Sequence, residues 1–217
     1  MSWTDWLFPP RCVLCREPLT AGAEDGLCPD CRRQMEAERK RNLHRVLLYA
    51  EVICAAEYGG AMRSALLRVK ESHAVAAVEP MGRLLCAAFD HQNTDFIPDA
   101  VTYVPSSALR VRSRGFTLSQ EMARMVADHL GIPCIAALRH TALSARQAGQ
   151  SSAAKRQEHA QASVSLCPGM DLTGQKLLLV DDILASGATL NTCAKLLRDG
   201  GAAEIVGLVL AKSSSRR

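Results

Sequence analysis

A chain of 217 residues with 48% hydrophobic content can bury the core of one large or two unequal domains, which excludes a disordered protein. A net charge of +4 suits anionic ligands without marking a nucleic-acid binder, and no apolar run approaches the roughly 20 residues that span a bilayer. The N-terminus lacks the basic-then-apolar order of a signal peptide, so the expected location is cytoplasmic; nine cysteines there, an odd count, point to metal ligation and away from a disulfide framework.

In chain order, Met1–Pro10 carries Trp3, Trp6, Leu7 and Phe8 and is expected to pack as an apolar arm on the module behind it. Cys12-Val-Leu-Cys15 and Cys28-Pro-Asp-Cys31 follow, separated by twelve residues. Each Cys-x-x-Cys pair forms a knuckle that aims both sulfurs at one point, so Cys12, Cys15, Cys28 and Cys31 are expected to hold one tetrahedral Zn²⁺. Four thiolates fill the coordination shell, and the segment has few other apolar residues, so the ion is expected to be structural. Arg32 to Arg45 carries six Lys/Arg against Glu36 and Glu38. It is helix-compatible and reads as a linker that could equally touch a nucleic-acid backbone.

Val46–Ala56 is rich in β-formers and predicts one or two strands, with Tyr58-Gly-Gly60 as a turn. Met62, Ala65, Leu66 and Val69 form one helical stripe, and Val78, Met81, Leu85 and Ala88 form another. Ala100–Val104 predicts a strand stopped by Pro105, Leu118–Leu130 a helix stopped by Gly131-Ile-Pro133, and Cys134–Leu138 a short strand. Arg139–Gln161 is polar and aperiodic, either a mobile lid or a surface loop. Ala162–Leu166 predicts an edge strand and Glu204–Ala211 the last strand. Strands alternating with helices imply a mostly parallel sheet with ligands at the carboxyl ends of its strands. The single cysteines Cys54, Cys86, Cys134, Cys167 and Cys193 read as buried small hydrophobes.

The most informative stretch is Lys176-Leu-Leu-Leu-Val-Asp-Asp-Ile-Leu-Ala-Ser-Gly-Ala-Thr189. Leu177–Val180 predicts a strand covered on both faces and ended by Asp181 and Asp182. Ser186, Gly187 and Thr189 lie where a turn should enter a helix with the stripe Leu190, Cys193, Ala194 and Leu197, which stops at Gly200-Gly201. Strand, small-residue loop and helix start together offer free N–H groups and a positive helix end to an anion.

Val180-Asp-Asp-Ile-Leu-Ala-Ser-Gly-Ala-Thr189 resembles the signature of type I phosphoribosyltransferases, which bind phosphoribosyl pyrophosphate (PRPP). The whole chain resembles the ComF-type competence proteins. That likeness is carried by Phe8-Pro-Pro-Arg-Cys12-Val-Leu-Cys15, Tyr58-Gly-Gly60, Val104-Pro105, Arg112-x-Arg114-Gly-Phe116, the Gln147 and Lys155-Arg156 region, and Leu178 to Ala202. It implies an α/β, type I phosphoribosyltransferase-like fold with a mostly parallel sheet and flanking helices over residues 46–217, preceded by a small four-cysteine zinc module and basic linker over residues 1–45.

By the same resemblance, Ala185, Ser186, Gly187, Ala188 and Thr189 would wrap the 5-phosphate, and Asp181 and Asp182 would face the ribose hydroxyls as the catalytic pair. Pyrophosphate would sit at Pro105, Ser106 and Ser107 with Arg112 or Arg114 as candidate partners, and Mg²⁺ would bridge sugar and pyrophosphate oxygens. Expected partners are PRPP and, in DNA uptake or handling, single-stranded DNA or a DNA-uptake helicase. The alternative implied is an active transferase that moves ribose 5-phosphate to a base. Four positions depart from the families. Ala185 stands where hypoxanthine/guanine-type enzymes place a proton-accepting aspartate, although adenine-type enzymes show alanine; Thr117-Leu118 replaces Asn-Gln; Glu158 stands in place of a frequent Asn.

Overall fold

The computed structural model describes residues 11–19, 26–39, 44–72, 78–92, 95–106, 111, 115–141 and 164–213. The apolar arm Met1–Pro10, Ser107, Arg112, Arg114 and the Arg139–Gln161 stretch beyond Thr141 lie outside the described residues.

Helix α1, Pro29–Arg39, starts inside the second cysteine knuckle. Pro29 occupies the first turn, where its missing N–H costs nothing, and Asp30 sits beside the positive helix end. Strands β1 (His44–Val46) and β2 (Glu51–Glu57) form an antiparallel hairpin. Two helices follow, α2 (Gly60–Ser72) and α3 (Val78–Asp90), and all eight residues of the two expected stripes are buried. After β3 (Ala100–Tyr103) comes α4 (Leu118–Leu130), closed by Gly131 at φ 67°. Strands β4 (Leu138–His140) and β5 (Val164–Leu166), β6 (Lys176–Leu184), α5 (Ala188–Asp199) and β7 (Glu204–Lys212) complete the order.

The main sheet runs β1-β2-β7-β6-β3, with the pairs β2–β7, β7–β6 and β6–β3 all parallel. Their carboxyl ends therefore share one edge. Because side chains alternate along a strand, Leu178, Val180, Val206 and Leu208 join α2, α3 and α4 in one core, while Leu177, Leu179, Ile205 and Val209 join α5 in a second. Cover on both faces explains why these strands are continuously apolar.

Three expectations change. β6 does not end at the carboxylates; its pairing with β7 continues through Ile183↔Ala211 and Leu184↔Lys212, so the strand carries Asp181 and Asp182 within it. Cys134–Leu138 is not a strand. Cys134 makes one parallel bridge to Val101, with the Ile135 N–H donating to Val101 O at 2.8 Å, and the chain then leaves β3 to form β4 at Leu138–His140. The segment expected as an edge strand, here β5, pairs antiparallel with β4 in a separate two-stranded sheet. Cys54, Cys86 and Cys193 are buried as expected, and burial pushes their thiols up to about 11, 11 and 12; Cys134 and Cys167 are only half-buried.

Candidate functional site

At the N-terminal end the four knuckle cysteines converge, their sulfurs all within 4.8 Å of one another; Cys12, Cys28 and Cys31 are buried and Cys15 is exposed. Backbone geometry makes the convergence. The Cys12 N–H donates to Glu17 O and the Arg16 N–H to Cys12 O, both at 2.8 Å, and Arg16 takes φ 71° to close the turn. Cys31 N–H donates to Cys28 Sγ at 3.5 Å, and Cys15 Sγ lies 3.5 Å from Cys28 Sγ. Thiolates each about 2.3 Å from a tetrahedral ion stand about 3.8 Å apart, so the cluster fits Zn²⁺. Burial acts to raise the Cys12 thiol, but N–H groups of Cys15, Cys28 and Leu14 outweigh it and bring it down to about 7. Burial and the crowded sulfurs push Cys31 up. Residues 3–43 hold four cysteines and no histidine, enough for one such ion and not two.

The module shares its core with the sheet domain. Cys12, Leu14, Leu27, Cys28 and Cys31 belong to the cluster that contains Met62, Leu66, Val69 and Met81 of α2 and α3. Arg68 of α2 donates from Nη2 to Val13 O at 2.7 Å and Leu14 O at 2.8 Å, directly on the first knuckle.

The second cluster of interest lies at the shared carboxyl edge of the sheet. Tyr103 of β3 is in register with Val180 of β6, and Val104 N–H donates to Val180 O at 3.0 Å. Pro105 and Ser106 therefore leave β3 beside Asp181 and Asp182. Ser119 Oγ, in the first turn of α4, donates to Val104 O at 2.7 Å and holds that strand end. Consecutive strand residues face opposite ways, and the two carboxylates do so. Asp182 Oδ2 meets Lys70 Nζ of α2 at 2.5 Å, whereas the field of Asp181, on the α5 side, adds to the burial that raises Cys193. Asp181 Oδ1 also accepts from the Asp182 N–H at 2.8 Å.

From the end of β6 into the first turn of α5, Ala185 and Ser186 are exposed, Gly187 is buried at φ 83°, Ala188 is half-buried and Thr189 is exposed. A Cβ on Gly187 would lie 2.8 Å from Leu47 Cδ2, so this position needs glycine both for its backbone and for the close approach of the β1–β2 hairpin. Ser186 Oγ accepts from the Ala188 N–H at 3.3 Å, tightening the turn into the helix.

Arg45 of β1 supplies a contact that no local sequence pattern reveals. Its Nη1 donates to Ala185 O and its Nη2 to Ser186 O, both at 3.2 Å. In a trans peptide the N–H points opposite to the C=O, so drawing both carbonyls toward Arg45 turns the N–H groups of Ser186 and Gly187 the other way. Two successive N–H groups on one side, at a helix start, form an anion-binding concavity. Tyr49 braces the same hairpin: its N–H donates to Asn191 Oδ1 at 3.2 Å and its carbonyl accepts from Arg198 Nε at 3.4 Å. Loss of the guanidinium in Arg45→Met is expected to weaken binding of a phosphate ester at this loop about five-fold, as for roughly 1 kcal/mol of partly exposed hydrogen bonding. Isothermal titration with ribose 5-phosphate checks it.

The structure thus brings together Pro105, Ser106, Asp181, Asp182 and Ala185 to Thr189 at one sheet edge, and separately gathers the four cysteines. Ser107, Arg112 and Arg114 lie outside the described residues. Arg45 and Lys70 were not among the expected site residues; the only signal for Arg45 was its place at the end of a basic run.

Comparisons with known proteins agree with both halves. The double zinc ribbon domain family matches residues 3–43 and the phosphoribosyl transferase domain family matches residues 111–217. The chain is 26% identical to Competence protein F of Haemophilus influenzae over 221 residues, covering 91% of this chain and 95% of that protein. It is 35% identical to adenine phosphoribosyltransferase of Treponema pallidum over 102 residues, 45% of this chain and about half (47%) of that enzyme. Among solved structures, glutamine phosphoribosylpyrophosphate amidotransferase from B. subtilis matches 59% of this chain and 25% of its own, at 26% identity and a TM-score of 0.41.

Proposed function

Since the chain joins a four-cysteine zinc ribbon module to a domain of type I phosphoribosyltransferase-like fold and is homologous to Competence protein F along nearly its whole length, we propose that it is a PRPP-binding protein acting in DNA uptake or DNA handling. The observation that carries this reading is Arg45 donating to the Ala185 and Ser186 carbonyls of the loop between β6 and α5, beside two strand-borne carboxylates. In it, Ala185 to Thr189 cradle the 5-phosphate, Asp181 and Asp182 accept the ribose hydroxyls, and Pro105 and Ser106, with Ser107, Arg112 and Arg114, hold the pyrophosphate. Mg²⁺ neutralises pyrophosphate charge when bound, with few protein ligands of its own. Residues 1–45 supply the metal module and a basic linker whose last two residues enter β1, and residues 46–217 the phosphoribosyl domain, in a cytoplasmic setting.

No helix among the described residues is long and apolar enough to cross a membrane. The role in DNA uptake is supported by the relation to Competence protein F and by the basic run from Arg32 to Arg45, of which Arg32 and Arg33 are exposed on α1. Partners of matching chemistry are single-stranded DNA, whose phosphates such a run can track, or a DNA-uptake helicase.

A second reading, transfer of ribose 5-phosphate to a purine with release of pyrophosphate, is favoured by the similarity to adenine phosphoribosyltransferases. Measuring pyrophosphate release from PRPP and Mg²⁺ across a panel of purine and pyrimidine bases separates the two. The first reading, a PRPP-binding protein of DNA uptake or handling, expects silence across the panel with PRPP binding intact. Turnover with adenine would replace it with the transferase.

A further inference from the structure

We propose that Lys70 is a positioning residue of the phosphoribosyl site, an inference that rests on reading that site as a PRPP pocket. Lys70 lies in the last turn of α2, and its ammonium stands 2.5 Å from Asp182 Oδ2. Both side chains are about four-fifths covered, at 21% and 20% exposure, so water screens the pair less than a surface ion pair. Ion pairs such as Arg83–Glu79 and Lys195–Asp199 are exposed and lie within single helices. Lys70–Asp182 instead joins a helix to a carboxylate at the ligand edge of the sheet.

The chemistry of the site explains what this contact does. Asp181 and Asp182 place two negative charges at successive positions of β6, on its opposite faces, next to a loop shaped to receive a phosphate ester. Repulsion between unit charges a few Å apart corresponds to more than about ten-fold in affinity at an effective dielectric of about 20. Lys70 offsets one of the two charges and fixes the rotamer of Asp182, leaving the second carboxylate oxygen to accept a ribose hydroxyl. Asp181, on the opposite face, is held instead by the Asp182 N–H.

The helix that carries Lys70 is itself fixed. Val69 is fully buried, and Arg68, on the other flank of the apolar stripe, grips the carbonyls of Val13 and Leu14 in the first cysteine knuckle. The last turn of α2 therefore sits between the metal module and the ligand edge, with Lys70 aimed at Asp182.

The test is calorimetric titration of the full-length, zinc-loaded protein with ribose 5-phosphate and, separately, with PRPP and Mg²⁺. Lys70→Met should weaken both ligands by about ten-fold or more, and Lys70→Arg, which keeps the charge, should stay within about three-fold of the unaltered protein. Circular dichroism should show the same fold in all three. Unaltered affinity in Lys70→Met overturns the role of Lys70 while leaving the pocket standing. An equal loss in Lys70→Arg also overturns it, because packing and not charge would then be at work. Failure of the unaltered protein to bind either ligand overturns the pocket reading and this role with it.

Discussion

Replacing Asp181 and Asp182 together by asparagine should remove measurable PRPP binding, a loss of at least about 100-fold, in a protein that still folds. Hydrogen bonds to a charged acceptor contribute roughly 1.5–3 kcal/mol each, and two of them to the ribose of the proposed ligand would account for that factor. Asparagine keeps the shape of each side chain, and in Asp181→Asn the amide oxygen can still accept the N–H that Asp181 accepts at 2.8 Å. The fold loses one part-buried ion pair, to Lys70, worth about 1 kcal/mol, so the melting temperature should fall by only about 3 °C. Calorimetry with PRPP and Mg²⁺ beside a thermal melt checks both halves. Retained affinity would move the ribose elsewhere.

The second large effect concerns the metal. Stripping zinc with a chelator, or substituting Cys28→Ser, should unfold the segment from Arg11 to Arg39, because among its described residues the only buried apolar side chains besides the cysteines are Leu14 and Leu27. Structural zinc binding in small modules is worth about 10 kcal/mol or more in apparent free energy, far beyond what two leucines contribute. The damage should spread. Cys12, Cys28 and Cys31 cover α2 and α3 in the shared core, so the melting temperature of the whole protein should drop by about 10 °C or more. Elemental analysis should find one zinc per chain, as four cysteines require. An unchanged melt after complete metal removal would contradict a structural role.

Local pattern made the scaffold legible. The stripes Met62–Val69, Val78–Ala88 and Leu190–Leu197 are buried where helical spacing places them, and two Cys-x-x-Cys knuckles converge because each one directs its own sulfurs. The loop from Ala185 to Thr189 was legible for the same reason: strand, small residues and helix follow one another directly. What escaped depends on contacts between distant parts of the chain. Arg45 reaches the loop from 140 residues away, and in the sequence it is one of six basic residues in a run that reads as a linker. Lys70 sits on a helix flank where a lysine ordinarily meets water. The extension of β6 beyond its carboxylates was hidden because polar residues usually end a strand, whereas here pairing to Ala211 and Lys212 carries it on. That extension turns Asp181 and Asp182 to opposite faces, so two adjacent, chemically identical residues have different neighbours.

The central claim, a pocket for PRPP at the carboxyl edge of the sheet, is tested most directly by one titration of the full-length protein with PRPP and Mg²⁺. The expected result is saturable binding of one ligand per chain, displaced by ribose 5-phosphate, which shares the phosphate and ribose that the loop and the carboxylates are proposed to hold. Absence of binding, or binding that ribose 5-phosphate leaves untouched, would contradict it.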